Sequence, residues 1–303
     1  MKVLLVGCGR VGGEIAESLV KKQYVKTLFL YSRTIKSSKA LAYDLKNGKV
    51  KVVSHIEDVN NPDYVIIALS NQSEAARRES FHTRGNTYHV RQDELIFNLG
   101  AITQLSKSLK KICKDTKIIV VTNPVDEFTN YLRIIMNYNN IFGFGLSLDA
   151  LRYSKLLKRK VLCIGSHGKA IPLLDLKTKK NYEKLHNEID GGVIKYLRKR
   201  GMTHKITGDE FSNFFDKLNS PKETNILVAS YLLKDPFLGV KGIAISIPFH
   251  VKKGKIISPA DVNVSSLERE LFLKQVKELK QSVEHILWIH ERLISYQSNL
   301  DNP

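Results

Sequence analysis

Cysteine is scarce in this chain. Its three thiols, Cys8, Cys113 and Cys163, are odd in number, far apart and without a CxxC pair, and each lies in or beside an apolar stretch. That pattern excludes a disulfide framework and gives a metal site no support; reduced structural thiols are the expectation. Apolar runs long enough to span a bilayer are also missing. The N-terminal run Met1–Gly7 is too short for a signal peptide and passes at once into glycine-rich turn chemistry, so it reads as a first buried strand and the chain as cytoplasmic. Internal repeats and low-complexity segments are absent, and only Ser298–Pro303 reads as a frayed tail. No RNP-like aromatic motif, zinc spacing or basic tail is present, which argues against a nucleic-acid partner.

What is there is a chain of 303 residues, 43% of them hydrophobic, enough for a large core and compatible with two domains. The formal net charge is +18, with the lysines spread along the whole length. An anionic substrate with an anionic cofactor would profit from such a field; a basic host proteome explains it equally well.

In the first half, short apolar runs alternate with amphipathic stretches, the pattern of a parallel sheet flanked by helices. Strands are expected at Val3–Val6, Thr27–Tyr31, Val50–Ser54, Tyr64–Leu69 and Lys117–Val121. Helices are expected at Val11–Lys22, Ser37–Lys46 and Asp93–Lys114. The polar, arginine-rich segment Ser70–Val90 interrupts the rhythm, and so long a loop in a compact domain is usually functional or disordered. After Ile141–Phe144 the style changes to α+β. A helix is expected from about Leu148, a strand at Val161–Ile164, and helices around Glu183–Arg200 and Glu223–Leu233. A strand pair at Lys241–Ile247 and Lys255–Ser258 and a closing helix from Ser265 to Ser295 complete the reading. The fold class is therefore α/β: a Rossmann parallel sheet over residues 1–144 for a dinucleotide, and a C-terminal α+β catalytic domain over residues 145–303.

Gly7-Cys8-Gly9-Arg10-Val11-Gly12 is a GxGxxG motif between a strand and a helix. The first glycine permits the tight turn, the second admits a pyrophosphate to the backbone, and the third lets helix and strand pack closely. This context turns a weak motif into a dinucleotide site. An acidic residue at the end of the second strand would bind the ribose hydroxyls of NAD. Leu30-Tyr31-Ser32-Arg33-Thr34 has none, and Arg33 is able to clasp a 2′-phosphate, so NADP is expected, with NAD possible.

Four further segments resemble the malate and lactate dehydrogenases, and they occur in that family's order from the glycine motif almost to the C-terminus. Thr122-Asn123-Pro124-Val125-Asp126 matches TNPVD. Leu148-Asp149-Ala150-Leu151-Arg152 is similar to LDxxR. Gly165-Ser166-His167-Gly168 resembles G-x-H-G, although Lys169 and Ala170 replace the usual acidic or amide residue and serine. Arg91-Gln92-Asp93-Glu94-Leu95-Ile96-Phe97-Asn98 is similar to R-x-D-x-L-x-x-N. Asp149 and Arg152, three apart on a helix, share a face; taken alone they are also an ordinary ion pair.

The resemblance implies a catalytic set of His167, Asp149, Arg152, Arg91 and Asn123. Arg152 clamps a 2-keto acid's carboxylate, His167 donates the proton, Asp149 orients the imidazole, Arg91 polarises the carbonyl, and Asn123 hydrogen-bonds the substrate oxygen. The implied cofactor contacts are Gly7, Gly9, Arg10, Val11, Gly12, Ser32, Arg33, Thr34, Ala68, Asn98, Val121 and Asn123. A malate enzyme carries a second arginine in the loop before Arg91. Arg77, Arg78 and Arg84 are candidates, Arg84 being nearest the expected spacing, and Thr224 falls near a pocket Thr or Ser position. The expected activity is hydride exchange between NADP(H) and a 2-hydroxy/2-keto acid, with malate and oxaloacetate leading. A lactate- or 2-hydroxyisocaproate-type enzyme and a non-catalytic NADP-sensing protein are the alternatives. A homodimer or homotetramer is the assembly the resemblance implies.

Overall fold

The computed structural model describes residues 1–71, 73, 76, 79, 82, 87–200, 205–221 and 225–301, with side chains described for these except 87–89, 91, 92, 200 and 293–301. Its strands are β1 Lys2–Val6, β2 Thr27–Tyr31, β3 Val50–Val52, β4 Tyr64–Ile67, β5 Lys117–Val120, β6 Ile141–Gly143, β7 Cys163–Ile164, β8 Ile171–Pro172, β9 Asn225–Leu232, β10 Ala244–Lys252 and β11 Lys255–Pro259. Its helices are α1 Arg10–Val20, α2 Ile35–Leu45, α3 Thr87–Ile112, α4 Val125–Met136, α5 Leu146–Leu157, α6 Lys179–Arg200, α7 Lys205–Asn219 and α8 Ser266–Asp301.

The main sheet has the order β11-β10-β9-β6-β5-β4-β1-β2-β3. The six strands from β3 to β6 are parallel in the doubly wound order 3-2-1-4-5-6. Burial alternates with the pleat: Val3 and Leu5 pack with Ile15, Leu19, Phe211 and Phe214, whereas Leu4 and Val6 pack with Leu99, Ile102 and Phe128 on the other face. Helices therefore cover both faces, as near-continuous apolar strands require. Among its side chains, α8 supplies Phe272 and Val276 to one core and Ile286 to the other.

Several expectations for the second half are corrected. The segment expected as a helix at Glu223–Leu233 is the strand β9. Its Ile226-Leu227-Val228 run pairs antiparallel with β10 from Asn225↔Val251 to Leu232↔Ala244, and Ser230 pairs with Gly143 of β6. Sheet pairing thus decides a short apolar run whose periodicity is ambiguous. The strand pair expected at Lys241–Ile247 is shifted, with β10 starting at Ala244. A tight turn with a Phe237↔Val240 bridge, and Leu238, Gly239 and Gly242 at positive φ, makes the short connection into it. Two helices, α4 and α7, were not anticipated, and α3 begins at Thr87, before the expected Asp93. The closing helix runs to Asp301, through the start of the expected tail.

Candidate active site

One cavity of about 670 Å³ runs along the C-terminal ends of the parallel strands. Gly7, Gly9, Arg10 and Val11 of the first turn line it, together with Ser32, Arg33 and Thr34 after β2, Ala68 after β4, and Val121 and Asn123 after β5. Arg152 and His167 line it as well. The crevice beyond the carboxyl ends of an open parallel sheet is where such folds bind ligands.

The glycine turn shows why its residues lack side chains. Gly7 has φ +107°, and a Cβ there would stand 2.5 Å from the Ala68 carbonyl oxygen. A Cβ on Gly12 would stand 1.9 Å from the Gly7 oxygen, so helix and turn fit only without it. Gly9 has nothing within 4 Å of its would-be Cβ, and it caps α1 without a side chain and with no acidic residue in the first helical turn. The helix N-terminus therefore offers backbone N–H groups and a positive dipole end to an anion. Together with the motif's chemistry, this cradle fits the pyrophosphate of a nicotinamide dinucleotide.

At the end of β2 the hydroxyls are engaged locally: Ser32 Oγ donates to the Thr34 carbonyl at 2.7 Å, and Thr34 Oγ1 lies 3.0 Å from Ser37 Oγ. Arg33 is exposed and donates from Nη1 to Asn71 Oδ1. Cys8 faces the same turn, its Sγ 3.6 Å from the Tyr31 carbonyl, and burial pushes its thiol up to about 11.

Around His167 the chain converges. Asp149 Oδ2 accepts from His167 Nδ1 at 2.7 Å and from the Gly168 N–H at 2.9 Å, while Oδ1 accepts from Arg152 Nη1 at 2.8 Å. The side chains of Asp149, His167 and Arg152 are 6%, 7% and 11% exposed, so the cluster is largely withdrawn from water and its charges are screened less than at the surface. Both readings of the Asp149–Arg152 spacing hold at once: an i,i+3 ion pair exists, and its carboxylate also holds the imidazole. With Nδ1 committed to Asp149, Nε2 is the ring nitrogen on the far side.

Asn98, fully buried, donates from Nδ2 to the Asn123 carbonyl at 3.0 Å and accepts at Oδ1 from the Asn71 N–H at 2.8 Å. Asn123 Oδ1 is buried in the cavity wall with no hydrogen-bond partner among the described residues, a polar atom that a ligand would satisfy.

Supporting groups that sequence reasoning missed complete the cluster. Asp126, the last residue of the motif that holds Asn123, accepts from the His167 N–H at 2.9 Å and from Ser246 Oγ at 2.8 Å. Burial raises its carboxyl above the usual range, against the lowering effect of the His167 N–H and the Ser230 and Ser246 hydroxyls. Gln275 Oε1 accepts from the Ser166 N–H at 2.9 Å, and its Nε2 donates to the Lys169 carbonyl at 2.6 Å. It comes from α8, more than a hundred residues away, and no local signal announces it. Gly145 abuts the imidazole, where a Cβ would stand 2.7 Å from His167 Cγ. Its place just before α5 was the available hint. The unusual Lys169 pairs with Glu278 at 2.8 Å.

Arg91 is placed in α3, and its side chain lies outside the described residues, as do Arg77, Arg78, Arg84 and Thr224. Thr207 of α7 lines the cavity, as do Thr34 and Thr122.

The family described as lactate/malate dehydrogenase, NAD binding domain, matches residues 1–142. An L-2-hydroxycarboxylate dehydrogenase (NAD(P)(+)) of Methanocaldococcus jannaschii is 25% identical, over 94% of this chain and 99% of its own. A malate dehydrogenase of Methanothermobacter marburgensis is 25% identical, over 95% and 97%. The crystal structure of malate dehydrogenase from Plasmodium falciparum has the same fold, with a TM-score of 0.80 at 16% identity over 95% and 98% of the two chains. The N-terminal match to that family, the full-length relatives and the shared fold give one conclusion: this chain is similar to the malate and lactate dehydrogenases along nearly its whole length.

Proposed function

We propose that this chain is an NADP(H)-dependent oxidoreductase of 2-hydroxy and 2-keto acids, with malate and oxaloacetate as the leading pair. The observation that carries the reading is the desolvated His167–Asp149–Arg152 cluster on the same cavity as the glycine turn. In this reading residues 1–144 hold the dinucleotide and residues 145–303 supply the acid–base chemistry. The names of the relatives, an L-2-hydroxycarboxylate and a malate dehydrogenase, point the same way.

When bound, the nicotinamide supplies or accepts the hydride. Gly7, Gly9 and Gly12 with the N–H groups of α1 would hold its pyrophosphate, and Ala68, Val121, Asn98 and Asn123 would wall the nicotinamide end. In reduction, Arg152 keeps one N–H on Asp149 and turns others to the substrate carboxylate, which fixes the face presented. His167, protonated at Nε2, passes that proton to the carbonyl oxygen, and the Asp149 carboxylate stabilises the imidazolium beforehand. Asn123 Oδ1, with no partner among the described residues, accepts a hydrogen bond from the ligand. Arg91, from the start of α3, polarises the carbonyl. Oxidation retraces the path, with Nε2 taking the hydroxyl proton.

Oxaloacetate needs a second cation at its far carboxylate, and Arg84 is the proposed source. A second reading is favoured by the apolar lining that Val90, Leu148, Val193 and Leu197 give the cavity, which suits a branched monocarboxylate. Initial rates with oxaloacetate, pyruvate, 2-ketoisocaproate and phenylpyruvate, each with NADPH and NADH, decide between them. Fastest reduction of oxaloacetate with NADPH supports the malate reading, and an inert oxaloacetate with an active branched acid replaces it. Equal kcat/KM for the two nucleotides removes the NADP assignment. The homodimer or homotetramer is part of the same proposal, and native mass spectrometry tests it.

A further inference from the structure

A line of hydrogen bonds through Asn98 and Asn71 connects the Asn123 backbone with Arg33. Asn98 is fully buried and fastened to the Asn123 carbonyl through Nδ2. Its Oδ1 holds the Asn71 backbone N–H at 2.8 Å, and the Asn71 side chain then reaches Arg33, accepting at Oδ1 from Nη1. Arg33 and Asn71 are 38 residues apart in sequence and both line the cavity. The nearby hydroxyls of Ser32 and Thr34 are engaged with their own turn, so Arg33 is the group at the end of β2 with charge to offer.

We propose that Asn71 is a positioning residue for Arg33, and that the pair together makes the cofactor's 2′-phosphate subsite. This rests on the NADP reading above and deepens it. The amide is a neutral acceptor: it restrains the guanidinium through one of five N–H donors and leaves the charge and the other donors for a phosphate. An exposed arginine otherwise loses rotamer freedom on binding, and restraint beforehand lessens that cost. The restraint is effective because Asn71 hangs from a buried amide and not from a free loop. A carboxylate at the same place would hold Arg33 as well but would neutralise it and repel the phosphate.

Direct titration of the full chain with NADPH and NADH, read by nucleotide fluorescence, tests this. Asn71→Ala should weaken NADPH binding about tenfold and NADH binding less than about twofold, since only one ligand has the phosphate to lose a preset partner. Asn71→Asp should abolish the preference for NADPH, and Asn71→Gln should retain part of it. On an Arg33→Ala background, Asn71→Ala should cost nothing further. Equal losses for both nucleotides, tighter NADPH binding in Asn71→Ala, or an undiminished effect without Arg33 would each overturn the proposal. A wild type that binds NADPH no better than NADH overturns this inference and the NADP reading together. A preference that depends on Arg33 and ignores Asn71 overturns this inference alone.

Discussion

Asp149 carries three donors on two oxygens: the imidazole, a backbone N–H and a guanidinium. It is placed to fix which imidazole nitrogen meets the substrate and to stabilise the ring's charge when that nitrogen is protonated. Asp149→Asn keeps the shape and removes the charge, and His167→Asn removes the proton donor itself. General acid–base groups contribute roughly 10²–10⁴-fold, so each variant should lose turnover on that order while nicotinamide affinity stays within about twofold. Steady-state kinetics with nucleotide titration checks both. A loss confined to KM would show that the pair acts in binding only. Cys8 makes an opposite prediction about reactivity. Its thiol, raised to about 11 by burial, stays protonated at neutral pH. The sign follows: the neutral thiol favours the fold below the ordinary thiol pKa, and that contribution is lost as pH rises towards about 11. Alkylation of native protein by iodoacetamide should therefore be slow at pH 8 and accelerate only at strongly alkaline pH, as mass mapping of Cys8 would show. Fast labelling at pH 8 would contradict it.

The loop that carries His167 is suspended from four elements. Asp149 of α5 holds its ring, Asp126 of α4 its backbone N–H, the Ser246 carbonyl of β10 accepts from Gly165 N–H, and Gln275 of α8 bridges Ser166 and Lys169. Gln275→Ala leaves the buried Ser166 N–H without its partner and takes one of two donors from the Lys169 carbonyl, which also accepts from the Tyr182 hydroxyl; it should cost about 1–3 kcal/mol in urea denaturation, with a fall in kcat as the loop loosens. Gly145→Ala places a methyl against a buried, tethered imidazole. A displacement near 1 Å can cost roughly a hundredfold in rate, so kcat should fall at least about tenfold with cofactor affinity retained. An active Gly145→Ala enzyme would mean the imidazole has room to move. This convergence also explains what was legible in the sequence. The buried parallel strands and the glycine turn were, because each is a local pattern of apolar runs and turn residues. His167, Asp149 and Arg152 were nominated by local motifs, and the structure brings them within hydrogen-bonding distance. Gln275, Ser246 and the role of Asp126 were not legible, since contacts across the fold leave no spacing to read. β9 was misread as a helix because its pairing with β10 and β6, rather than its own periodicity, sets its conformation.

Across the whole molecule the excess of 18 positive charges acts as a field as well as an inventory. If it steers a dianionic substrate, kcat/KM for oxaloacetate should fall as the Debye length shortens from about 30 Å to about 8 Å between 0.01 and 0.15 M salt. It should fall more steeply than for a monocarboxylate. A flat salt profile would assign the charge to composition alone. The same molecule places an anion-ready helix end and a desolvated His–Asp–Arg cluster on one cavity. In the proposed function these two serve one reaction. The most direct measurement follows NADPH absorbance with the panel of 2-keto acids, comparing wild type with His167→Asn at matched nucleotide saturation. The expected result is 2-keto-acid-dependent oxidation of NADPH, one nucleotide per 2-hydroxy acid formed, reduced about a hundredfold or more in the variant with nucleotide affinity preserved. Absence of turnover with every acid, or turnover that survives the loss of His167, would contradict it.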